Sequence, residues 1–219
     1  MGNYNKWNKH EITDENADIF IVLFVSRNKD NKHIDGFVER RKAFVTSQAA
    51  NELYSKFKAF VKEGKPGEFS RMYYSVNARC NHKTQKALLH KLIEENYNMG
   101  TLPQRIAAIA ARKENAKYSK NLKWLFDFDP IENTNIHKEV VSFVDDIKYF
   151  YTTTKNKKKK KDEIKPPIKI ETYKTPNGYA VIVDQRLDTR ELLKRWKNVE
   201  LKRDDLYCVY SEYNEIESK

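Results

Sequence analysis

The sequence predicts an α+β protein in which a smaller α/β module precedes an antiparallel core. Hydrophobic residues make up 39% and aromatic residues 12% of the 219 positions, which is enough to bury one large core or two small ones. Runs of β-prone residues alternate with segments whose apolar residues recur at helical spacing. From residue 123 onward the elements follow the order β-α-β-β-α-β, so we expect two domains, residues 1–120 and 121–219.

The first module is predicted to contain three strands and three helices. The β-prone runs predict strands at 19–26, 36–45 and 69–77. One helix is predicted to open at 46–49 with Ser47 as its cap and to end at the turn 64–67; two more are predicted at 84–95 and 102–116. In the helix over 84–95, helical spacing predicts four inward side chains: Leu88, Leu89, Leu92 and Ile93.

The second module is predicted to begin with a strand over 123–129 and a helix over 136–151. The inner side of this helix is predicted to carry Val140, Val141, Phe143, Val144, Ile147 and Phe150. Strands over 168–173 and 179–184 form a hairpin, and a helix follows from Asp188 to Trp196, with Asp188 as its cap and Glu191 supporting a capping box. A last strand over 199–210 completes a ferredoxin-like arrangement, an antiparallel sheet with two helices on one face.

The chain is basic, with a net charge of +11. Residues 155–165 hold seven lysines against Asp162 and Glu163, so this run contributes +5 and the rest of the chain +6. A basic balance that extends beyond one segment favours a polyanionic partner, and nucleic acid is the commonest. Solubility, or the Lys/Asn/Tyr-rich composition of an AT-rich genome, would explain the same charge.

Cysteine, histidine and hydropathy patterns exclude several classes of protein. Cys80 and Cys208 form no paired motif, and the five histidines lack zinc-ligand spacing. Residues 1–11 are polar and contain no signal-peptide core, and no apolar stretch has the length of a membrane span. We therefore expect a cytoplasmic protein with no membrane partner.

Asp127 and Asp129 have the clearest chemical implication, because they close an apolar run that starts at Trp124 and stops before Pro130. Side chains alternate along a strand, so both aspartates are predicted to share one face, with Phe128 on the other. Two carboxylates about 7 Å apart suit one or two Mg²⁺ or Mn²⁺ ions. Such ions serve phosphoryl and nucleotidyl transfer. The simpler interpretation is two solvated aspartates at a strand end.

The aspartate pair ends the first strand of the β-α-β-β-α-β unit, and the later hairpin turn runs Thr175-Pro176-Asn177-Gly178-Tyr179. This combination resembles the archaeo-eukaryotic primase superfamily in a divergent form. That family has an hhhDhD strand motif and a hairpin motif written SGGxGhH on an RRM-like catalytic core. Over residues 120–212, the resemblance implies a primase–polymerase-like nucleotidyltransferase that uses Mg²⁺ or Mn²⁺ and nucleoside triphosphates on nucleic acid. The composition and compact size are similar to those of bacteriophage proteins, which implies the cytoplasm of a bacterial host.

The resemblance assigns roles to individual residues of this chain. Asp127 and Asp129 would bind the metal ions and catalyse the transfer, and the third acidic residue would be Asp204 or Asp205, with Asp184 as a further possibility. Gly178 would let the hairpin backbone approach the nucleotide, with Thr175 near its phosphates and Asn177 beside them. The lysine run would bind the phosphates of the nucleic acid. It consists of Lys157, Lys158, Lys159, Lys160 and Lys161.

The sequence departs from the family at Ala180, where the family has a histidine that contacts the phosphates of the incoming nucleotide. Alanine carries neither charge nor a hydrogen-bonding group. A residue that holds a phosphate contributes about 10²–10³ in rate. Arg79 or Arg71 could replace the histidine from the first module, although each is expected to be an ordinary surface arginine.

Two other interpretations stay open. A haloacid-dehalogenase-type phosphatase also begins with a strand ending in Asp-x-Asp, but here Pro130 follows and the predicted topology is not doubly wound. A non-catalytic binding protein on the same fold would hold phosphates with the lysine run and stack bases on tyrosines. The tyrosines available for such stacking are Tyr173, Tyr179, Tyr207 and Tyr210, although strand tyrosines more commonly serve sheet packing.

Overall fold

The structure is a computed structural model that describes residues 18–94, 99–116, 122–129, 135–156 and 167–215. Within these residues it has a mixed α+β fold with two antiparallel sheets and five α-helices, which confirms the predicted class. The chain divides into a first unit, Met1–Ser119 with Tyr210–Lys219, and a second unit, Lys120–Val209. The expected boundary after residue 120 lies next to this division, but the last ten residues cluster with the first unit.

The elements of the first unit are four strands and three helices, followed by a strand near the end of the chain. In order they are β1 (Asp18–Ser26), β2 (Arg40–Thr46), α1 (Tyr54–Lys62), β3 (Phe69–Ser75), β4 (Arg79–Cys80), α2 (Asn81–Glu94) and α3 (Leu102–Ala110). Strand β1 is central, because β2 pairs antiparallel along one side and β3 and β4 pair along the other. Its Phe24 packs against Phe57 and Phe60 of α1, with ring centroids 5.6 and 5.7 Å apart.

The predicted start of the first helix and the predicted inner face of the second are wrong. The α-helix begins at Tyr54 rather than near Ser47, because Thr46 still belongs to β2 and its hydroxyl accepts a hydrogen bond from the Gln48 N–H, a local turn that competes with helix. In α2, Leu89, Leu92 and Ile93 are exposed rather than inward. The buried residue of α2 is instead Thr84, whose hydroxyl donates to the Cys80 carbonyl.

The second unit follows the predicted element order. Its elements are β5 (Trp124–Phe128), α4 (Ile136–Asn156), β6 (Ile170–Lys174), β7 (Tyr179–Val183), α5 (Arg190–Arg195) and β8 (Val199–Lys202). The sheet order is β6-β7-β5-β8, and every neighbouring pair is antiparallel. The predicted single strand over 199–210 is wrong, since a turn at Arg203-Asp204-Asp205 separates β8 from β9 (Leu206–Tyr213), which follows β3 in the first sheet.

The core of the second unit lies between its sheet and its two helices. Phe143 of α4 contacts Phe126 and Phe128 of β5, with ring centroids 5.4 and 5.6 Å apart. Most of the residues predicted on the inner side of α4 pack here, but Val141 is 50% exposed and that prediction is wrong. The predicted cap of α5 is wrong, since the N-cap residue is Thr189 and Asp188 precedes it, although Asp188 accepts the Arg190 N–H. The predicted capping box is wrong too, because Glu191 pairs with Lys194.

In the described part of the chain, none of the helices combines the length and the apolar character that a membrane-spanning segment needs.

Candidate functional site

The second sheet has one face covered by α4 and α5 and another that carries Asp127. Phe126 and Phe128 turn into the helical core, so alternation along β5 directs Asp127 to the opposite side, as predicted. We name that side the Asp127 face. Cross-strand register places two rows of side chains on it: Tyr173, Ala180, Asp127 and Glu200 in one row, and Glu171, Ile182, Leu125 and Lys202 in the next.

The Asp127 carboxylate is paired with an ammonium group. The Lys202 Nζ lies 2.6 Å from Asp127 Oδ2 and 3.5 Å from Glu200 Oε2. Partial burial lowers the pKa of Lys202, but the hydrogen bond to Asp127 and the charges of Asp127, Glu200 and Asp205 outweigh it, so its pKa lies above the ordinary lysine value. Lys202 is therefore a permanent cation at neutral pH, seated against the predicted metal-binding carboxylate.

The other predicted acidic residues lie beyond the ends of the strands and in the turn after β8. Asp129 is exposed just beyond β5, where its backbone exchanges two hydrogen bonds with Asn198. Asp204 and Asp205 lie in the turn after β8, and Asp205 accepts the Leu206 N–H. Asp184 accepts the Lys169 N–H and so closes the end of the β6–β7 hairpin.

These positions bear on the predicted metal ions. Mg²⁺ and Mn²⁺ bind oxygen ligands, and catalytic sites need several carboxylates directed at one point. Among the residues that the structure describes, no group of three or more His, Cys, Asp or Glu side chains is placed to hold a metal ion. Within these residues Asp127 is paired with Lys202 instead, and Mg²⁺ or Mn²⁺ stays an expectation that rests on the resemblance.

The predicted nucleotide-binding hairpin lies at one end of the sheet. Its turn is closed by a hydrogen bond from the Thr175 N–H to the Gly178 carbonyl, 2.9 Å long. Gly178 is buried, whereas Asn177 is exposed. Ala180 is the direct neighbour of Asp127 across the strands and is only 1% exposed. The structure thus places Ala180 beside Asp127, where the family's histidine would have to reach a phosphate.

The two arginines considered as replacements belong to the first unit and are not surface residues, so that expectation is wrong. Arg79 is 2% exposed and Arg71 is 6% exposed. Arg71 donates from two nitrogens to the two carboxylate oxygens of Asp30, at 2.8 and 3.0 Å. Burial raises the pKa of Asp30, but hydrogen bonds from Arg27 and Arg71 outweigh it and hold the pKa below the ordinary value. Arg71 is therefore engaged in a structural ion pair.

The four tyrosines proposed for stacking do not form one platform. Tyr179 packs against the helical core, and Tyr210 belongs to the first unit, where it contacts Tyr54. Tyr173 and Tyr207 do come together, with ring centroids 5.1 Å apart at an interplanar angle of 42°. Tyr173 is 37% exposed on the edge strand β6.

Sequence reasoning missed Glu200 and Lys202. Both lie on β8 with the same parity, and register rather than sequence spacing brings them to Asp127. An alternating Glu-x-Lys pattern in a predicted strand next to the strand of an aspartate would have signalled a cross-strand ion pair. The lysine run from Lys157 to Lys161 lies outside the described residues.

Comparisons of the chain with protein families, with curated proteins and with solved structures found no match.

Proposed function

We propose that this protein binds nucleic acid without catalysing nucleotidyl transfer, on a ferredoxin-like, RRM-like core that descends from a primase–polymerase-type enzyme. The observation that carries the proposal is the Asp127–Lys202 ion pair. A lysine ammonium neutralises the carboxylate that the resemblance assigns to metal, and Ala180 beside it offers nothing to a phosphate.

The core assignment is supported by connectivity. The strand order β6-β7-β5-β8, with α4 and α5 on one face, is the order that a split βαβ unit produces. Asp127 lies on the first strand of this unit and on the face away from the helices. The resemblance rests on an aspartate pair at the end of the first strand, and Asp127 occupies that place. We therefore interpret the motif as a sign of common origin.

Binding of a polyanion is supported by charge. The chain carries +11, and the lysine run lies directly between α4 and β6 in the sequence. Outside residues 155–165, the second unit has as many acidic as basic side chains, so the run supplies its entire excess. We therefore propose phosphate contacts through Lys157–Lys161, with binding that is independent of sequence and falls steeply with salt.

A metal-dependent nucleotidyltransferase is the second candidate. It is favoured by the placement of Asp127 and Ala180 side by side on the first and third strands, the positions of the two family motifs. In that case Asp127, Asp129 and Asp204 or Asp205 would hold Mg²⁺ or Mn²⁺ and act on a nucleoside triphosphate. Thr175, Asn177 and Gly178 would contact the nucleotide.

Calorimetry separates the two candidates. We expect the full chain to show no Mn²⁺-dependent binding of nucleoside triphosphate, and to bind a fluorescein-labelled oligonucleotide with an affinity that falls as salt rises. Asp127→Ala/Asp129→Ala should keep that affinity or tighten it, because negative charge has gone. Mn²⁺-dependent triphosphate binding that this double variant abolishes would overturn the proposal in favour of the transferase. Absence of oligonucleotide binding would overturn it altogether.

A further inference from the structure

Tyr173 is the exposed aromatic residue of the Asp127 face, and its surroundings hold the ring in place. Tyr207 contacts one side of the ring at 5.1 Å, and the Tyr173 hydroxyl donates to Glu171 Oε2 at 3.0 Å. A ring fixed at both its side and its tip loses little conformational entropy when something stacks on it. The exposed part of Tyr173, 37% of the residue, is therefore preorganised.

The charges beside this ring suit a phosphate-bearing ligand. Lys174 follows Tyr173 on β6, and Lys169 lies just before that strand; both lysines are exposed. Glu171 would oppose a phosphate, but Lys123 lies 3.8 Å from it and the tyrosine hydroxyl also engages it. Burial and the hydrogen bond to Glu171 raise the pKa of Tyr173, so its hydroxyl stays protonated at neutral pH.

The rest of the Asp127 face cannot stack a base. On the central strands β5 and β7 it presents Leu125, Asp127, Ala180 and Ile182, and Leu125, Ala180 and Ile182 are buried. An aromatic contact with a ligand is therefore confined to the edge of the sheet, at β6. Among the described residues β6 is an edge strand, and such an edge suits an extended chain of nucleotides.

We propose that the Tyr173 ring, backed by Tyr207 and flanked by Lys169 and Lys174, is a stacking site for an unpaired base, which makes the protein selective for single-stranded nucleic acid. This inference rests on the proposed nucleic-acid binding and adds the form of nucleic acid. In a duplex, base faces are already stacked on their neighbours, so only phosphates would remain for recognition. In a single strand, each base offers a π-face to an aromatic side chain.

The test is fluorescence anisotropy of the full chain with a labelled oligo(dT) 20-mer and with a 20-base-pair duplex. We expect tighter binding to the single strand, and a loss of about tenfold in Tyr173→Ala, the size expected when one stacked base is lost. Tyr173→Phe keeps the ring and should bind like wild type. Tyr149→Ala is the matched control, because Tyr149 is 63% exposed on α4, away from the Asp127 face, and should leave affinity unchanged.

The outcomes distinguish this inference from the proposed function. Binding to neither probe would overturn the proposed function and the inference with it. Binding to the single strand that Tyr173→Ala leaves intact, or equal affinity for duplex and single strand, would overturn the inference alone. Equal losses in Tyr173→Phe and Tyr173→Ala would assign the effect to the hydroxyl and also overturn it. If circular dichroism shows that Tyr173→Ala is unfolded, the wild type is photocrosslinked to oligonucleotides containing 5-iodouracil instead. We expect the crosslink at Tyr173. Crosslinks that do not include Tyr173 would contradict the inference.

Discussion

The Lys202 ammonium bridges Asp127 and Glu200, whose carboxylates face each other across the β5–β8 pair at 2.6 and 3.5 Å from its nitrogen. The two carboxylates are direct cross-strand neighbours, and like charges in that position repel. Lys202 therefore holds together a strand pairing that would otherwise be penalised. The same cation makes Asp127 a structural residue of the sheet.

A double-mutant cycle on Asp127 and Lys202 measures this coupling. We expect Lys202→Met to destabilise the protein by about 1 kcal/mol, since it leaves two facing carboxylates without a cation. In Asp127→Asn/Lys202→Met the second change should cost less, with a coupling of about 0.5–1 kcal/mol. Urea unfolding of the four proteins at low salt gives the free energies, and strict additivity would show that the ion pair contributes nothing.

The contrast between Phe128 and Lys202 shows how far sequence carries the candidate site. Alternation along 123–129 was sufficient to predict that Asp127 and Phe128 point to opposite faces, because strand periodicity is local. The pairing of Asp127 with Lys202 joins residues 75 positions apart, and the register depends on turns whose geometry the sequence pattern does not specify. The Glu-x-Lys pattern of β8 signals that a cation is available, but only the register shows that it faces Asp127. Without the register, the aspartates resembled a metal site.

The α2 helix shows the same limit for the fold. Helical spacing relates Leu88 to Leu92 and Leu89 to Ile93 equally well, so periodicity offers two adjacent faces. The choice depends on what the helix packs against: Thr84 is buried, and Leu88, one turn later on the same face, is half-buried. Element order and type were predictable from periodicity, whereas buried faces depended on tertiary contacts.

Glu68 should make the first unit sensitive to acid. Burial raises the pKa of Glu68, but hydrogen bonds from Arg40 and the Lys65 N–H, with the charge of Arg40, outweigh it and hold the pKa below the ordinary value. A lowered folded-state pKa gives stability that is fully present above the unfolded-state value, about 4.3, and is lost as the pH falls through the folded-state pKa. Glu68→Gln should therefore cost about 1–3 kcal/mol at pH 7 and progressively less below pH 4.

Urea unfolding at several pH values between 7 and 3 measures the difference between wild type and Glu68→Gln. The exposed Glu63→Gln is the control, because its side chain is 66% exposed and 4.0 Å from the same Arg40. The wild type and Glu68→Gln are compared by their free energies of unfolding. If the difference stayed constant down to pH 3, it would contradict the role assigned to the carboxylate.

Gly64 leaves room for the ion pair between Arg40 and Glu68. A Cβ at this position would lie 2.5 Å from a terminal nitrogen of Arg40 and 2.7 Å from the Glu68 carboxyl carbon. Glu68 is 2% exposed and cannot swing into solvent, so the pair would have to shift. We expect Gly64→Ala to destabilise by about 1–3 kcal/mol, as overpacking does. Thermal unfolding checks it, and Gly64→Ala should cost much less in a Glu68→Ala background, where the contact with Glu68 is gone and Arg40 is released from its carboxylate.

Phe143 lies at the centre of the aromatic packing on the helical face of β5, opposite Asp127. It is fully buried and contacts Phe126, Phe128 and Trp196, with ring centroids 5.4–5.6 Å apart. Phe143→Ala should cost about 3–5 kcal/mol, because a cavity opens between α4 and the sheet. Val141→Ala, on the same helix but half exposed, should change stability by no more than about 0.5 kcal/mol. Chemical denaturation compares the two variants, and similar losses of stability would contradict the packing of α4 through Phe143.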